Sequence, residues 1–166
     1  TFLTKRFARE IIAVFVFIIT AMSIGTAILP PFLGGVIGLI GPYLIAFPRL
    51  MLAVGRFLFA PKNPYFRLLN VDDSTAKAAV LHNFGLAFLI GFSFVIQQFN
   101  EFNGLPREVS RIGFWLNLAT HLYLAAVIWK YRPGMTSMMR GFDSNVTPTE
   151  DRMARALPYF AIIVIM

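Results

Sequence analysis

The feature that most constrains this chain is an uninterrupted run without any charged side chain, residues 11–48. A helix needs about 20 apolar residues to cross the hydrocarbon core of a bilayer, so the run is long enough for two spans. Pro30 and Pro31 fall near its middle, where one helix can end and the next begin. The run therefore predicts a pair of antiparallel transmembrane helices.

The composition of the whole chain favours the same environment. Hydrophobic residues make up 57% of the sequence and charged residues 14%, whereas a soluble domain carries about 25% charged residues. The net charge is +7, but the basic residues lie at the ends of apolar runs. We therefore expect membrane lipids with anionic headgroups as partners, and no nucleic acid. The chain has no cysteine, which excludes disulfides and thiolate chemistry.

Apolar runs and helix-boundary signals predict an all-α membrane protein, a polytopic helical bundle with four complete spans and the start of a fifth. We expect the whole chain to form one transmembrane region. Because an apolar run is cut short at its C-terminal end, we expect the chain to be a fragment of a longer protein. The predicted spans cover about residues 11–29, 32–59, 75–100 and 107–131, and the fifth helix starts near residue 148.

Local signals refine these boundaries. Pro48 predicts a kink in the second span, because proline removes a backbone hydrogen bond. Asp72 and its two successors are candidates for the N-cap of the third helix. Residues 133–146 are expected to form a loop, and Thr147 with Glu150 predicts a capping box at the start of the fifth helix.

The basic residues are distributed unequally between the two sides of the predicted spans. Thirteen Lys and Arg residues lie on one side, and two, Arg107 and Arg111, lie on the other. Loops that stay in the cytoplasm carry the excess of positive charge. The sequence therefore predicts a multi-pass protein whose basic loops face the cytoplasm.

Polar residues inside the predicted spans are the candidates for a function. Asn117 and His121 lie one turn apart near the centre of the fourth span. An ionisable residue at this depth can serve proton transfer or cofactor binding, but we expect intramembrane polar packing through an interhelical hydrogen bond. His82 and Asn83 are expected to be structural. A haem pair of His82 and His121 is not expected, because the predicted spans put the two at different depths.

No nucleophile motif, nucleotide-binding loop or metal-ligand spacing is present in the sequence. We therefore expect no enzyme activity, no cofactor and no metal site. The glycines of the second span include the pair Gly34 and Gly38, whose G-x-x-x-G spacing permits close helix packing. Gly35 and Gly41 extend that small-residue stripe.

One segment of the chain is similar to a known family. Residues 59–76 contain a proline-rich turn, then Arg-Leu-Leu, then Asp-Asp-Ser-Thr-Ala before the next span. This pattern resembles the loop between auxiliary spans in large bacterial members of the small-conductance mechanosensitive channel family. The matching residues are Arg67, Leu68, Leu69, Asp72, Asp73, Thr75 and Ala76.

The resemblance implies a homo-oligomer, usually a heptamer, in the bacterial inner membrane. It implies a tension-gated, weakly selective pore, for which this chain would supply the auxiliary, lipid-facing transmembrane segment. Arg49 and Arg56 are seven residues apart on one helical face, where they can extend toward the headgroups. Together with Arg67 they are the candidate lipid-headgroup contacts.

Two other interpretations stay open. The chain can be an accessory or structural membrane subunit of a larger respiratory or photosynthetic complex, which needs no site of its own. It can also be part of a secondary transporter, in which a broken helix lies at the membrane midplane. Pro48 and the glycines near Gly41 are the only sequence signal for that second alternative.

Overall fold

The computed structural model describes residues 2–106, 109–142 and 145–165. Regular structure within these ranges is entirely helical, which confirms the all-α prediction. A π-helical stretch, Gly41–Ala46, joins the second and third α-helices, and a short 3₁₀-helix, Pro64–Phe66, follows the third. The α-helices are α1 (Phe2–Ala27), α2 (Pro31–Ile40), α3 (Phe47–Phe59), α4 (Asp73–Phe102), α5 (Ile112–Lys130), α6 (Arg132–Arg140) and α7 (Pro148–Ile165).

Four helical stretches of the described chain are long and apolar enough to cross a membrane. At most 28% of the residues in their most apolar windows are buried within the chain, so most of their apolar surface needs cover from outside. Lipid supplies that cover for a membrane-embedded bundle. The four stretches are Thr4–Ala27, Leu33–Phe59, Asp73–Phe102 and Ile112–Lys130.

Three predicted boundaries differ from the structure. The first span was expected from about residue 11, but α1 begins at Phe2. The fourth span was expected from about residue 107. Arg107 and Glu108 lie outside the described residues, and α5 begins at Ile112. The predicted loop at residues 133–146 was wrong for residues 133–140, because α6 follows α5 after the single residue Tyr131. Pro133 lies in the first turn of α6, where a proline costs the helix no hydrogen bond.

The second span is one continuous helical segment built from α2, the π-helical stretch and α3. Its irregular part lies before Pro48, at Gly41–Ala46. The Phe47 N–H donates to the Pro42 carbonyl, five residues back. At the same spacing Pro48 would donate to the Tyr43 carbonyl, but proline has no N–H. The wider π-helical turn therefore replaces the α-helical hydrogen-bond pattern where the sequence predicted a kink.

Helix α4 packs closely against this second span at two glycines. A Cβ atom on Gly91 would lie 2.0 Å from the Tyr43 carbonyl oxygen, so the two backbones touch. At Gly55 of α3 the packing is less tight, and a Cβ atom would lie 3.5 Å from Val80 Cα of α4. Near that second contact the Asn83 side chain donates to the Met51 carbonyl at 2.6 Å. Glycine and a polar side chain together hold α3 and α4 at short distance.

Among the described residues, the predicted glycine stripe of the second span makes one contact that leaves no room for a Cβ atom. A Cβ atom on Gly34 would lie 2.2 Å from the Gly25 carbonyl oxygen, across the turn between α1 and α2. Gly35 and Gly38 have open space around the position of a Cβ atom. The G-x-x-x-G pair is therefore not a packing motif among the described residues, although one of its glycines closes the α1–α2 hairpin.

Side-chain caps begin α4 and α7 as predicted. The Asp72 carboxylate accepts the N–H groups of Ser74 and Thr75 at 3.0 and 3.1 Å. Thr147 and Glu150 form the reciprocal capping box, with the Thr147 N–H donating to the Glu150 carboxylate at 2.8 Å. These caps satisfy N–H groups that the first helical turn leaves without a partner.

Replacement of Gly91 by alanine is expected to destabilise the bundle by about 1–3 kcal/mol, because the added methyl group meets the Tyr43 carbonyl oxygen. The matched control is Gly38→Ala, where the methyl group meets open space within the chain. The measurement is the thermal unfolding midpoint of the detergent-solubilised protein. Equal midpoints for the two variants would contradict the close contact between α4 and the π-helical stretch.

Replacement of Asp72 by alanine is expected to cost about 1 kcal/mol through loss of the α4 cap. Hydrogen bonds from Thr75 and then Ser74 lower the pKa of Asp72 from 3.8 to about 2. Because the pKa of Asp72 is lower in the folded state than in the unfolded state, its ionised carboxylate stabilises the fold at pH values above the unfolded-state pKa. This contribution is lost as the pH falls toward 2. Asp72→Asn keeps the accepting oxygen but removes the charge. Unfolding midpoints between pH 5 and about 2 should therefore depend less on pH in this variant.

Candidate functional site

The basic loops of the described chain come together at one end of the bundle. The start of α1 meets the end of α3, where the rings of Phe7 and Phe57 stack with centroids 4.5 Å apart. The loop after α3 meets the end of α6 through a hydrogen bond from the Asn70 side chain to the Gly141 carbonyl. We call this the basic end.

Aromatic and cationic side chains also mark the basic end where α5, α6 and α7 meet. The Arg132 guanidinium lies 4.4 Å from the centre of the Trp129 ring. The Tyr159 ring packs edge-on against the same Trp129, with centroids 6.0 Å apart. Such clusters are typical of the level at which a membrane meets water. The basic end therefore has the chemistry of a membrane interface.

A cavity of about 240 Å³ opens at the basic end between α1, α3 and the loop that follows α3. We call it the basic cavity. Its lining combines apolar side chains with three cations and one carboxylate. The side chains that define it are Arg6, Glu10, Arg56, Lys62, Phe7 and Phe57.

The charges of the basic cavity are only partly neutralised. Arg6 pairs with Glu10, with Nε and Oε1 3.2 Å apart and half of the Arg6 side chain exposed. Neither Arg56 nor Lys62 has a hydrogen bond or ion pair to another part of the chain that the structure describes. The cavity therefore carries two positive charges in excess, which suits an anionic ligand.

Two of the three predicted headgroup contacts, Arg49 and Arg56, are exposed on α3. They lie two turns apart, and Arg56 lines the basic cavity whereas Arg49 does not. The sequence did not identify Arg6 and Lys62 as members of the same site. The predicted turn at Pro30 was the sequence signal that could have identified them. Folding the chain back at that turn brings the start of α1 beside the end of α3.

The third predicted headgroup contact, Arg67, has a different environment. Its side chain is only 6% exposed and forms an ion pair with Asp73 at 2.5 Å. It also donates to the Phe59 carbonyl at 3.0 Å and to the Val71 carbonyl. These contacts tie the loop to the end of α3 and the start of α4. Contact between Arg67 and a headgroup stays a prediction, but little of its guanidinium surface is accessible to a phosphate.

Polar side chains line the α4–α5 interface toward the opposite end. Gln97 donates to the Ser93 carbonyl and hydroxyl oxygens, each at 3.0 Å. The Ser93 hydroxyl lies 3.4 Å from Asn117 Oδ1, to which it donates across the interface. Asn100 donates to Ser110 at 3.1 Å, beside a second cavity of about 250 Å³. Asn117 thus forms interhelical polar packing, whereas its neighbours Gln97 and Asn100 were not singled out from the sequence.

His121 differs from Asn117, although both lie on α5. Its Nδ1 lies 2.6 Å from the Asn117 carbonyl oxygen of its own helix, and its side chain is exposed. The described chain therefore gives His121 no interhelical hydrogen bond. A packing role for His121 stays a prediction.

His82 has a partner on the neighbouring helix, with its Nδ1 2.7 Å from the Tyr123 hydroxyl oxygen. The two histidines have different partners, since His121 is exposed and bonds to its own helix. Among residues 2–106, 109–142 and 145–165, no group of three metal-ligating side chains could hold an ion. The basic cavity is therefore the best-developed candidate site in the described part of the chain.

A comparison with family models, curated proteins and solved structures finds no match to this chain.

Replacement of Arg67 by lysine is expected to loosen the loop between α3 and α4. An ammonium group cannot reproduce the three-way contact of a guanidinium with Phe59, Val71 and Asp73. The cost is about 1–3 kcal/mol, and amide hydrogens of residues 60–72 should exchange faster by mass spectrometry. Arg152→Lys, on an exposed position of α7, is the matched control. Unchanged protection of the loop would contradict the structural role of Arg67.

Proposed function

We propose that this chain is the auxiliary, lipid-facing transmembrane region of a tension-gated, weakly selective mechanosensitive ion channel in a bacterial inner membrane. The resemblance of residues 59–76 to the loop between auxiliary spans of that channel family supports the proposal. The observation that carries it is the exposure of Arg49 and Arg56 on the second span, the last turns of which line the basic cavity.

The arginines give the second span a means of sensing the headgroup level. A basic side chain near an anionic membrane surface contributes roughly 1 kcal/mol of attraction. When tension thins the bilayer, the headgroups move relative to a helix of fixed length, at a cost of fractions of a kcal/mol per Å. A helix attached to headgroups by Arg49 and Arg56 is then pulled along the membrane normal or tilted.

The packing of the second span against α4 supplies a route by which that movement is passed on. The Gly91–Tyr43 backbone contact and the hydrogen bond from Asn83 to Met51 join the second span to α4. Interfaces packed this tightly shift between discrete arrangements more readily than they deform. Tension can therefore bias a two-state pore, provided that the open and closed states meet the lipid differently.

The assembly and the orientation are part of the same proposal. Thirteen of the fifteen Lys and Arg residues lie on one side of the predicted spans, and the positive-inside rule assigns that side to the cytoplasm. The channel would be a homo-oligomeric ring, a heptamer by resemblance, with this region at its lipid-facing rim. The large exposed apolar surface of the described helices is consistent with such a rim.

The test of headgroup coupling is patch-clamp recording from the full-length protein with Arg49 and Arg56 both replaced by glutamine. We expect the tension at half-maximal opening to rise, because the double variant loses up to about 2 kcal/mol of headgroup attraction per subunit. Arg152→Gln removes one exposed charge from α7 and should open at the wild-type tension. An unchanged opening tension in the double variant would rule out coupling through these arginines.

Single-particle imaging of the intact protein tests the assembly. A ring of identical subunits, with this region at its periphery, is expected. A particle in which the chain is embedded among unrelated subunits would instead support the accessory-subunit interpretation.

A further inference from the structure

We propose that the basic cavity between α1 and α3 binds the phosphate of one anionic glycerophospholipid through its cations, while its aromatic side chains contact the upper part of the acyl chains. This site deepens the proposed function and rests on it in one respect: the basic end must lie at the headgroup level of a membrane.

The charge of the cavity favours an anion. Arg6, Arg56 and Lys62 face a single carboxylate, Glu10, which already pairs with Arg6 at 3.2 Å. Arg56 and Lys62 have no hydrogen-bond or salt-bridge partner among the described residues. Arginine and lysine side chains are the usual protein ligands of phosphate. A lipid with a net negative charge therefore matches the cavity better than a zwitterionic one.

The end of α3 does not oppose an anion as strongly as a free helix C-terminus would, because its last carbonyl groups have donors. The Arg56 carbonyl accepts from the Ala60 N–H, and the Leu58 carbonyl accepts from the Leu68 N–H. The Phe59 carbonyl accepts from the buried guanidinium of Arg67. Arg67 thus supplies the positive charge that the end of α3 favours. The cations of the cavity therefore stay available to bind a ligand.

The backbone at the end of α3 also positions Lys62. Ala60 adopts a left-handed conformation with φ of 34°, which ends the helix and turns the chain back. The next two residues, Pro61 and Lys62, line the cavity as a result. Position 60 is therefore part of the geometry that puts Lys62 and Arg56 at one site.

The aromatic side chains of the lining distinguish a lipid from a free phosphate ion. Phe7 and Phe57 stack at 4.5 Å and line the cavity together with Phe66. An inorganic phosphate gains nothing from three aromatic rings, whereas the upper part of an acyl chain buries apolar surface against them. The cavity volume of about 240 Å³ is below that of typical pockets for whole small molecules. It suits a headgroup and glycerol unit whose chains continue into the bilayer.

The test is native mass spectrometry of the delipidated full-length protein in detergent, titrated with phosphatidylglycerol, phosphatidylcholine or inorganic phosphate. We expect phosphatidylglycerol to bind about tenfold more tightly than phosphatidylcholine. The double variant Arg56→Gln, Lys62→Gln should lose about tenfold in affinity for phosphatidylglycerol. Arg152→Gln should bind like the wild type.

Two further arms keep the result interpretable. Phe57→Ala should weaken lipid binding while all cations remain, and the unfolding midpoint of each variant shows whether it is folded. Equal binding of the two lipids, or wild-type binding by the folded double variant, would overturn the site. Displacement of the lipid by millimolar inorganic phosphate would show a phosphate-ion site instead and would also overturn the proposal.

Binding is measured without tension and without channel activity, so its outcome is independent of gating. Lipid binding with an unchanged opening tension in the Arg49 and Arg56 double variant would retain the site and reject the proposed coupling. The reverse pattern would retain the coupling and reject the site.

Discussion

Every backbone N–H and carbonyl group inside a bilayer needs a partner from the protein, because hydrocarbon offers none. The described chain meets this requirement with helices throughout, and its irregular backbone is confined to a few places. The main one within a span is the π-helical stretch Gly41–Ala46, placed just before Pro48. There a proline that cannot donate coincides with the closest approach of another helix, where Gly91 contacts the Tyr43 carbonyl. The altered hydrogen-bond pattern of the second span and its packing against α4 are therefore one structural feature.

The same requirement shapes the basic end of the bundle. Arg67 satisfies the last carbonyl of α3, and Asp72 satisfies the first N–H groups of α4. The two residues belong to one loop. Asp73, the first residue of α4, forms an ion pair with Arg67. Because the loop is closed on itself in this way, the cations of the basic cavity are not needed to hold the backbone. The basic end thus has a structural part, centred on Arg67 of the loop, and a part with unpaired charge, centred on Arg56 at the end of α3 and Lys62 of the loop.

Local patterns in the sequence predicted most helices and their first turns. The uncharged run at residues 11–48, the Asp72 cap and the Thr147–Glu150 capping box each depend on residues close together in the chain, so each could be recognised without a structure. Helix α6 was missed because an arginine-proline-glycine sequence is typical of a helix end, whereas here the proline lies in the first turn of a new helix. Asn117 was placed at an interhelical hydrogen bond, but the glycine that makes the closest helix contact, Gly91, was not recognised. Nothing in the residues around Gly91 reports which atom of another helix lies opposite.

The sequence by itself determined that this chain is an all-α bundle with four helices able to span a membrane, and that its basic residues gather at one end. Hydropathy and charge act over one helix length, so they can be read along the chain. Only the tertiary structure decided which residues meet: Gly91 with Tyr43, His82 with Tyr123, and Arg6 with Arg56 and Lys62 around one cavity. These arrangements depend on how helices that are far apart in the chain are rotated and shifted against each other. A change of one residue in that register moves a side chain by about 100° around its helix, which no local pattern specifies.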